Sequence, residues 1–161
     1  MFNIGDKVVY PMHGAGIIVA IENREILGKI REYYVLKMPI NDMEVMVPVI
    51  NAGDVGVRDI LGKEEMDKVL SILSSEDEAV MPTNWNRRYR YNMERIKTGD
   101  IDEIAKVVRS LEKLDVEKTL STGERKMLLS ARQIIISEMV LVYEKSTDEI
   151  SDLVDDIIMK S

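Results

Sequence analysis

The stretch that decides the fold runs from residue 55 to residue 73 and reads V-G-V-R-D-I-L-G-K-E-E-M-D-K-V-L-S-I-L. Its first residues alternate β-branched side chains with glycine and arginine, which is typical of a short strand. After Gly62 the apolar residues recur at helical spacing, at Met66, Val69, Leu70 and Leu73. The change of period at Gly62 predicts a boundary between a β part and an α part.

Strand-like runs fill the chain before this boundary. They are rich in β-branched and aromatic residues, and turn signals separate them at 11–16, Gly28 and 41–42. The runs lie at residues 7–10, 16–21, 33–38 and 44–48, and residues 55–58 could supply a fifth. Short strands at this spacing predict a small closed or half-closed barrel, SH3-like or Tudor-like, over residues 1–60.

Helical periodicity continues after the boundary. The first helix ends at Ser74-Ser75, and an exposed loop is expected at about 74–84. Capping-box spacing marks three later helix starts, at Asp100, Ser121 and Ser146. The helix from Ser121 is the most apolar and is predicted to be the centre of an all-α bundle over residues 61–161. The fold class is therefore α+β, organised as two domains.

Composition indicates a protein of a reducing compartment. The 161 residues include no cysteine, and no run approaches the roughly 18 apolar residues of a membrane span, so we expect a cytoplasmic protein that does not enter a membrane. The net charge of -7 argues against strong nucleic-acid binding by the whole chain. Residues 85–97, however, carry five cations against the single acid Glu94.

No catalytic constellation can be read from the sequence. His13 is the only histidine and cysteine is missing, which excludes the usual zinc sites and Cys-His pairs. Gly14-Ala15-Gly16 precedes a strand, so the helix dipole of a phosphate site is missing there. Gly62-Lys63 lacks the earlier glycine of a P-loop, because position 57 is Val57. We predict a binding protein, not an enzyme, without metal or cofactor.

The single tryptophan stands in P-T-N-W-N-R-R-Y-R, residues 82–90. It shares a helical stripe with Tyr89, Met93 and Ile96, which favours a core position for Trp85. Asn84, however, is a plausible N-cap that would put Trp85 in the exposed first turn, where it would suit a nucleic-acid edge. Both interpretations stay open. The surrounding cations are Arg87, Arg88 and Arg90, whose alternative partners are Glu76, Asp77 and Glu78.

The order of motifs resembles the CarD/CdnL family of bacterial transcription regulators along essentially the whole chain. The motifs are G-D-K-V-V-Y-P (5–11), H-G (13–14), V-P (47–48), V-G-V-R (55–58), P-T-N-W (82–85), R-R-Y (87–89), G-D (99–100), V-V-R (107–109), G-E-R-K-M-L (123–128) and A-R (131–132). Each motif alone is weak, but the ordered set is specific. The first module also resembles the polymerase-interacting domain of transcription-repair coupling factor.

This resemblance implies a function. The β module would dock on the β subunit of RNA polymerase, and the helical domain would stabilise the promoter open complex without reading base sequence. Trp85 would be a minor-groove wedge at the upstream edge of the bubble. The implied DNA-backbone contacts are Arg87, Arg88, Arg90, Arg125 and Lys126. The implied polymerase contacts are Arg24, Met46, Val47, Pro48 and Arg58.

One departure concerns the docking surface, because some relatives have an arginine where this chain has Met46. The polymerase contact is therefore expected to be more apolar or to use a strand edge. Apart from the resemblance, Arg24 could be a surface charge, Arg58 could pair with Asp59 or Asp54, and residues 125–126 could be a solvated face. The alternative function is a protein–protein adaptor that makes no DNA contact. We expect a functional monomer, with a dimer through exposed strand edges as the other option.

Overall fold

A computed structural model describes residues 1–75 and 81–159. The strands come first in the chain: β1 Lys7–Tyr10, β2 Gly14–Ile26, β3 Lys29–Lys37, β4 Glu44–Pro48 and β5 Arg58–Asp59. A 3-10 turn, Val49–Asn51, follows β4. The helices are α1 Lys63–Ser74, α2 Trp85–Lys97, α3 Ile101–Glu117, α4 Thr122–Tyr143 and α5 Thr147–Met159. The predicted order of a β module followed by a helical bundle is confirmed.

The strands pair antiparallel in the order β4-β3-β2-β1-β5. Strands β4 and β5 are the edges, so strand pairing among the described residues leaves the sheet half-closed. The Tudor-like assignment stays a prediction. The fifth strand pairs through Arg58 and Asp59 with β1, later than the predicted 55–58, because the chain is still turning at Gly56, where φ is +82°.

The β2–β3 hairpin is longer than the sequence pattern indicated. Its strands pair as far as Ile26 and Lys29, across a two-residue turn in which Leu27 and Gly28 both have positive φ. Two such residues form the turn that matches the twist of a hairpin. Residues 22–25 are polar or charged, and they are half-buried or exposed. The hydrophobic alternation that reveals a half-buried strand is therefore missing from them.

The bundle is built around α4, as predicted. Its buried residues include Ile135 and Met139, and they join a core to which α1, α3 and α5 also contribute. The predicted caps are present: Asp100 accepts from Asp102 N, Ser121 from Glu124 N and Ser146 from Glu149 N. Among the residues that the structure describes, no helix is both long and apolar enough to cross a bilayer.

The β module is fastened to α4 by polar contacts that span the boundary. Arg58 makes a two-point ion pair with Glu138, with N–O distances of 2.9 and 3.0 Å, and the Leu61 amide donates to the same carboxylate at 2.8 Å. The Ala15 amide donates to Ser137 Oγ at 2.8 Å. The alternative in which Arg58 pairs with the carboxylate of Asp59 or Asp54 is not what the structure has: two of its nitrogens bond to the nearly inaccessible carboxylate of Glu138, and Asp59 accepts only through its carbonyl.

Candidate nucleic-acid interface

The first turn of α2 presents Trp85 at the outer end of an amphipathic stripe. Asn84 caps the helix as predicted, since its side chain accepts a hydrogen bond from Arg87 N at 3.2 Å. Along the stripe Ile96 is buried, Met93 and Tyr89 are half-buried, and Trp85 is 43% exposed. The stripe therefore packs against the bundle at its inner end, and Trp85 is not a core anchor.

Contacts on two sides hold the indole of Trp85. Its ring stacks on Tyr89 with centroids 5.5 Å apart and planes 25° from parallel. Its Nε1–H donates to Ser121 Oγ at 2.7 Å. Ser121 caps α4, so the first turns of α2 and α4 meet at this point. Sequence reasoning identified Ser121 as a cap but missed this contact, because nothing local connects residues 36 positions apart.

A second contact joins the same two helix starts. Arg88 donates to Glu124 through Nε at 2.7 Å and through Nη2 at 3.0 Å. The Glu124 side chain is only 2% exposed. Hydrogen bonding from Arg88 holds the pKa of the Glu124 carboxyl below its ordinary value, against the opposing effect of burial. The same bond raises the pKa of Arg88. Arg88 is thereby committed to the bundle, which leaves little of its guanidinium for a phosphate.

The other predicted DNA contacts are exposed. Arg87 and Arg90 on α2 have no side-chain hydrogen bond or ion pair within the described parts of the chain, and Glu76, Asp77 and Glu78 lie outside those parts. On the first turns of α4, Lys126 is exposed, and Arg125 pairs with Asp115 at 3.3 Å in a solvent-accessible position. Exposed pairs of this kind are weak and are readily exchanged for another anion.

Charge and shape coincide at this end of the bundle. The N-termini of α2 and α4 carry the positive ends of their helix dipoles, which attract anions. Trp85 lies in the first turn of α2 and is bonded to the cap of α4. We name this end of the bundle the Trp85 edge, defined by Trp85 and by the exposed cations on the first two turns of α2 and α4, which are Arg87, Arg90, Arg125 and Lys126. It can hold phosphates by charge while it offers an apolar ring for stacking.

The predicted polymerase-binding residues do not form one patch. Met46 and Pro48 are half-buried on edge strand β4, whereas Val47 is 1% exposed and packs into the sheet core. Arg24 lies on the exposed β2–β3 hairpin and pairs with Glu22 at 2.7 Å. Arg58 lies on β5 at the opposite edge and is bound to Glu138. The β4 edge and the hairpin combine exposed residues with an unpaired strand edge, whereas at the β5 edge Arg58 is bound to Glu138.

Other kinds of site find little support in the described part of the chain. No group of three or more His, Cys, Asp or Glu residues there is arranged to hold a metal ion. His13 is exposed and stacks on Tyr10 with centroids 4.3 Å apart, and its amide donates to the Tyr10 carbonyl. His13 therefore lies in the turn between β1 and β2.

The architecture is that of a two-part protein, a β module followed by a helical bundle, and comparison with known proteins places it among transcription regulators. Residues 2–61 match the CarD-like/TRCF RID domain, and residues 68–155 match the CarD C-terminal domain. The chain is 41% identical over 143 residues to the Bacillus subtilis (strain 168) protein named "Putative transcription factor YdeB", covering 88% of this chain and 92% of that protein. The chain belongs to the CarD/CdnL family, as its motifs predicted.

The Arg88–Glu124 pair predicts a pH-dependent contribution to stability. The folded-state pKa of Glu124 is lowered, so its contribution is fully present above the unfolded value of about 4.3 and is lost as the pH falls through the folded value. We expect Glu124→Gln to lower the free energy of unfolding by about 3 kcal/mol at pH 7. Urea unfolding at pH 7 and at acidic pH should show this difference shrinking with acidification.

The control for this prediction is Glu117→Gln, at the exposed C-terminal end of α3. It removes a carboxylate without breaking a buried pair, so we expect a change within about 0.5 kcal/mol. If Glu124→Gln lowered the free energy of unfolding by the same amount at both pH values, the effect could not be assigned to the charged Arg88–Glu124 pair.

Proposed function

We propose that this protein docks on the RNA polymerase β subunit through its β module and stabilises the promoter open complex through its Trp85 edge. The observation that carries the proposal is the half-exposed indole at the junction of two helix N-termini, with exposed cations on the first two turns of the same helices. The match of residues 2–61 to the CarD-like/TRCF RID domain supports the polymerase contact. A cytoplasmic site of action agrees with a transcription-factor relative.

The DNA contact would be a minor-groove contact at the upstream edge of the bubble. Inserting an apolar side chain between base pairs of intact duplex costs a few kcal/mol in lost stacking. Next to strands that are already separated, part of this cost is avoided. The cations of the Trp85 edge would bind backbone phosphates, which position the protein without reading base sequence. The protein would therefore favour the open form of many promoters.

Polymerase docking would compensate for weak DNA affinity. The chain has a net charge of -7, and the Trp85 edge has only four cations, so binding to free DNA should be weak. Docking through the β4 edge and the hairpin raises the local concentration of promoter DNA around the Trp85 edge. Because Arg58 and Glu138 connect the module to α4, the docked module would also orient the bundle. A monomer suffices for this arrangement.

The proposal is tested by a fluorescence open-complex assay with polymerase holoenzyme on a labelled promoter. We expect the wild-type protein to raise the fraction of open complex. We expect the double variant Arg87→Gln/Arg90→Gln to need a higher protein concentration for the same effect. The slope of log affinity against log salt concentration should be smaller by about 0.9 for each phosphate that the variant no longer neutralises. This expected change follows from the removal of two exposed cations.

The matched control is Lys63→Gln/Lys145→Gln, which removes the same charge from exposed positions away from the Trp85 edge. It should behave as wild type at each salt concentration. If both double variants behaved alike while polymerase binding stayed intact, the proposed DNA contact would be contradicted. The protein–protein adaptor would then be the better description.

A further inference from the structure

We propose that Ser121 is a positioning residue for Trp85: its hydroxyl fixes the indole and occupies the only hydrogen-bond donor of the ring. Trp85 would then meet DNA by stacking and shape alone. The part of this inference that concerns DNA rests on the proposed function. The part that concerns the indole can be tested on the protein alone, because Trp85 is the single tryptophan of the chain.

The hydrogen-bonding capacity of the Ser121 hydroxyl is fully used. A hydroxyl donates one hydrogen bond and accepts two. Oγ accepts from Trp85 Nε1 at 2.7 Å and from Glu124 N at 3.2 Å, and it donates to Glu124 Oε1 at 3.2 Å. The hydroxyl therefore has one arrangement that satisfies all its partners, and the shortest of the three bonds goes to the indole.

Glu124 and Arg88 extend this arrangement into a closed network. The Glu124 carboxylate accepts from Ser121 and from Arg88, and Arg88 Nη1 donates to the Thr83 carbonyl at 3.1 Å. Thr83 lies just before the cap of α2, so the network starts and ends beside Trp85. Linked hydrogen bonds in a low-dielectric setting reinforce one another. The orientation of the indole is thus coupled to a nearly buried ion pair.

Packing also restricts the Trp85 ring, in addition to its hydrogen bond to Ser121. Tyr89 covers the ring by stacking. A Cβ built on Gly123 would lie 3.5 Å from Trp85 Cζ2 and 3.7 Å from Tyr89 Cε2, so the first turn of α4 lies directly against both rings. The indole is therefore held by Tyr89, Ser121 and Gly123, while 43% of Trp85 stays exposed to solvent.

This arrangement gives a physical reason for a contact that does not read sequence. An indole has one donor and no acceptor, and here the donor is already bonded within the protein. The minor groove presents base acceptors that a free indole N–H could select. With the N–H held by Ser121, any base step that accommodates the ring is equivalent in hydrogen bonding.

The test compares Ser121→Gly with Ser121→Thr. Glycine keeps most of the capping energy of α4 but removes the hydroxyl, and threonine keeps both. Ser146→Gly is the matched control, because Ser146 caps α5 in the same way without touching the tryptophan. Tryptophan anisotropy and acrylamide quenching of the free protein then report on the indole, and the open-complex assay reports on its use.

We expect Ser121→Gly to increase the population of released indole roughly five-fold, which corresponds to the loss of one hydrogen bond. Anisotropy should fall, quenching should rise and the open-complex effect should weaken, while Ser121→Thr and Ser146→Gly resemble wild type. Unchanged tryptophan signals in Ser121→Gly would overturn the proposal. Ser121→Gly could instead alter the tryptophan signals and still keep the full open-complex effect, while Trp85→Ala loses that effect. This result would overturn the positioning role of Ser121.

Failure of the proposed function looks different in the same experiment. The wild-type protein would then have no effect on promoter opening, whereas the fluorescence of the free variants would still show whether Ser121 holds the indole. The two conclusions can therefore be separated.

Discussion

Trp85→Ala is expected to remove the effect of the protein on promoter opening while the fold survives. A tryptophan in a close-packed core costs about 3–5 kcal/mol when it is replaced by alanine. Trp85 is 43% exposed, stacks on Tyr89 and makes one hydrogen bond, so we expect a loss in the free energy of unfolding of about 1–2 kcal/mol. Urea unfolding and the open-complex assay, run on the same preparation, measure both quantities.

Trp85→Phe is the informative companion to this variant. Phenylalanine keeps an aromatic ring at the position but lacks the N–H that donates to Ser121. If DNA meets the ring by stacking, Trp85→Phe should retain part of the open-complex effect that Trp85→Ala loses. Loss of polymerase binding, or a stability deficit of about 3–5 kcal/mol in Trp85→Ala, would instead favour a core role for Trp85.

The second large effect is expected at the junction between the β module and the bundle. Glu138→Met should lower the free energy of unfolding by about 3 kcal/mol, because it removes one partner of a mostly buried ion pair. The Leu61 amide, which donates to the same carboxylate, also loses its acceptor. Urea unfolding measures the loss, and the open-complex assay shows whether a loosened junction still delivers the Trp85 edge to DNA.

A double-mutant cycle identifies the cause of this effect. Arg58→Met alone leaves the Glu138 carboxylate, which is 1% exposed, without its cation and should also be strongly destabilising. The double variant Arg58→Met/Glu138→Met replaces both charges by apolar side chains and should recover much of the stability. Additive losses in the double variant would show that the ion pair does not couple the module to α4.

Family membership could be predicted from the sequence, because its evidence is the order of short motifs along the chain. Both parts of the family match in the predicted order. The helix starts could be predicted equally well, since a cap such as Ser121 or Asp100 acts on residues within one turn of itself. The limits of β2 and β3 were harder to predict, because polar residues on the β2–β3 hairpin interrupt the alternation of apolar and polar side chains.

The sequence by itself determined the β-then-α order and the helix caps, because each depends on neighbours within a few residues, but it left Trp85 open between the core and the exposed first turn of α2. Only the tertiary structure decided the partners of these side chains. Arg88 pairs with Glu124 and Trp85 with Ser121, each 36 positions away, and Arg58 pairs with Glu138, 80 positions away. Such pairs depend on how helices and strands pack, and a side chain's local sequence does not specify which distant partner the packing will bring to it.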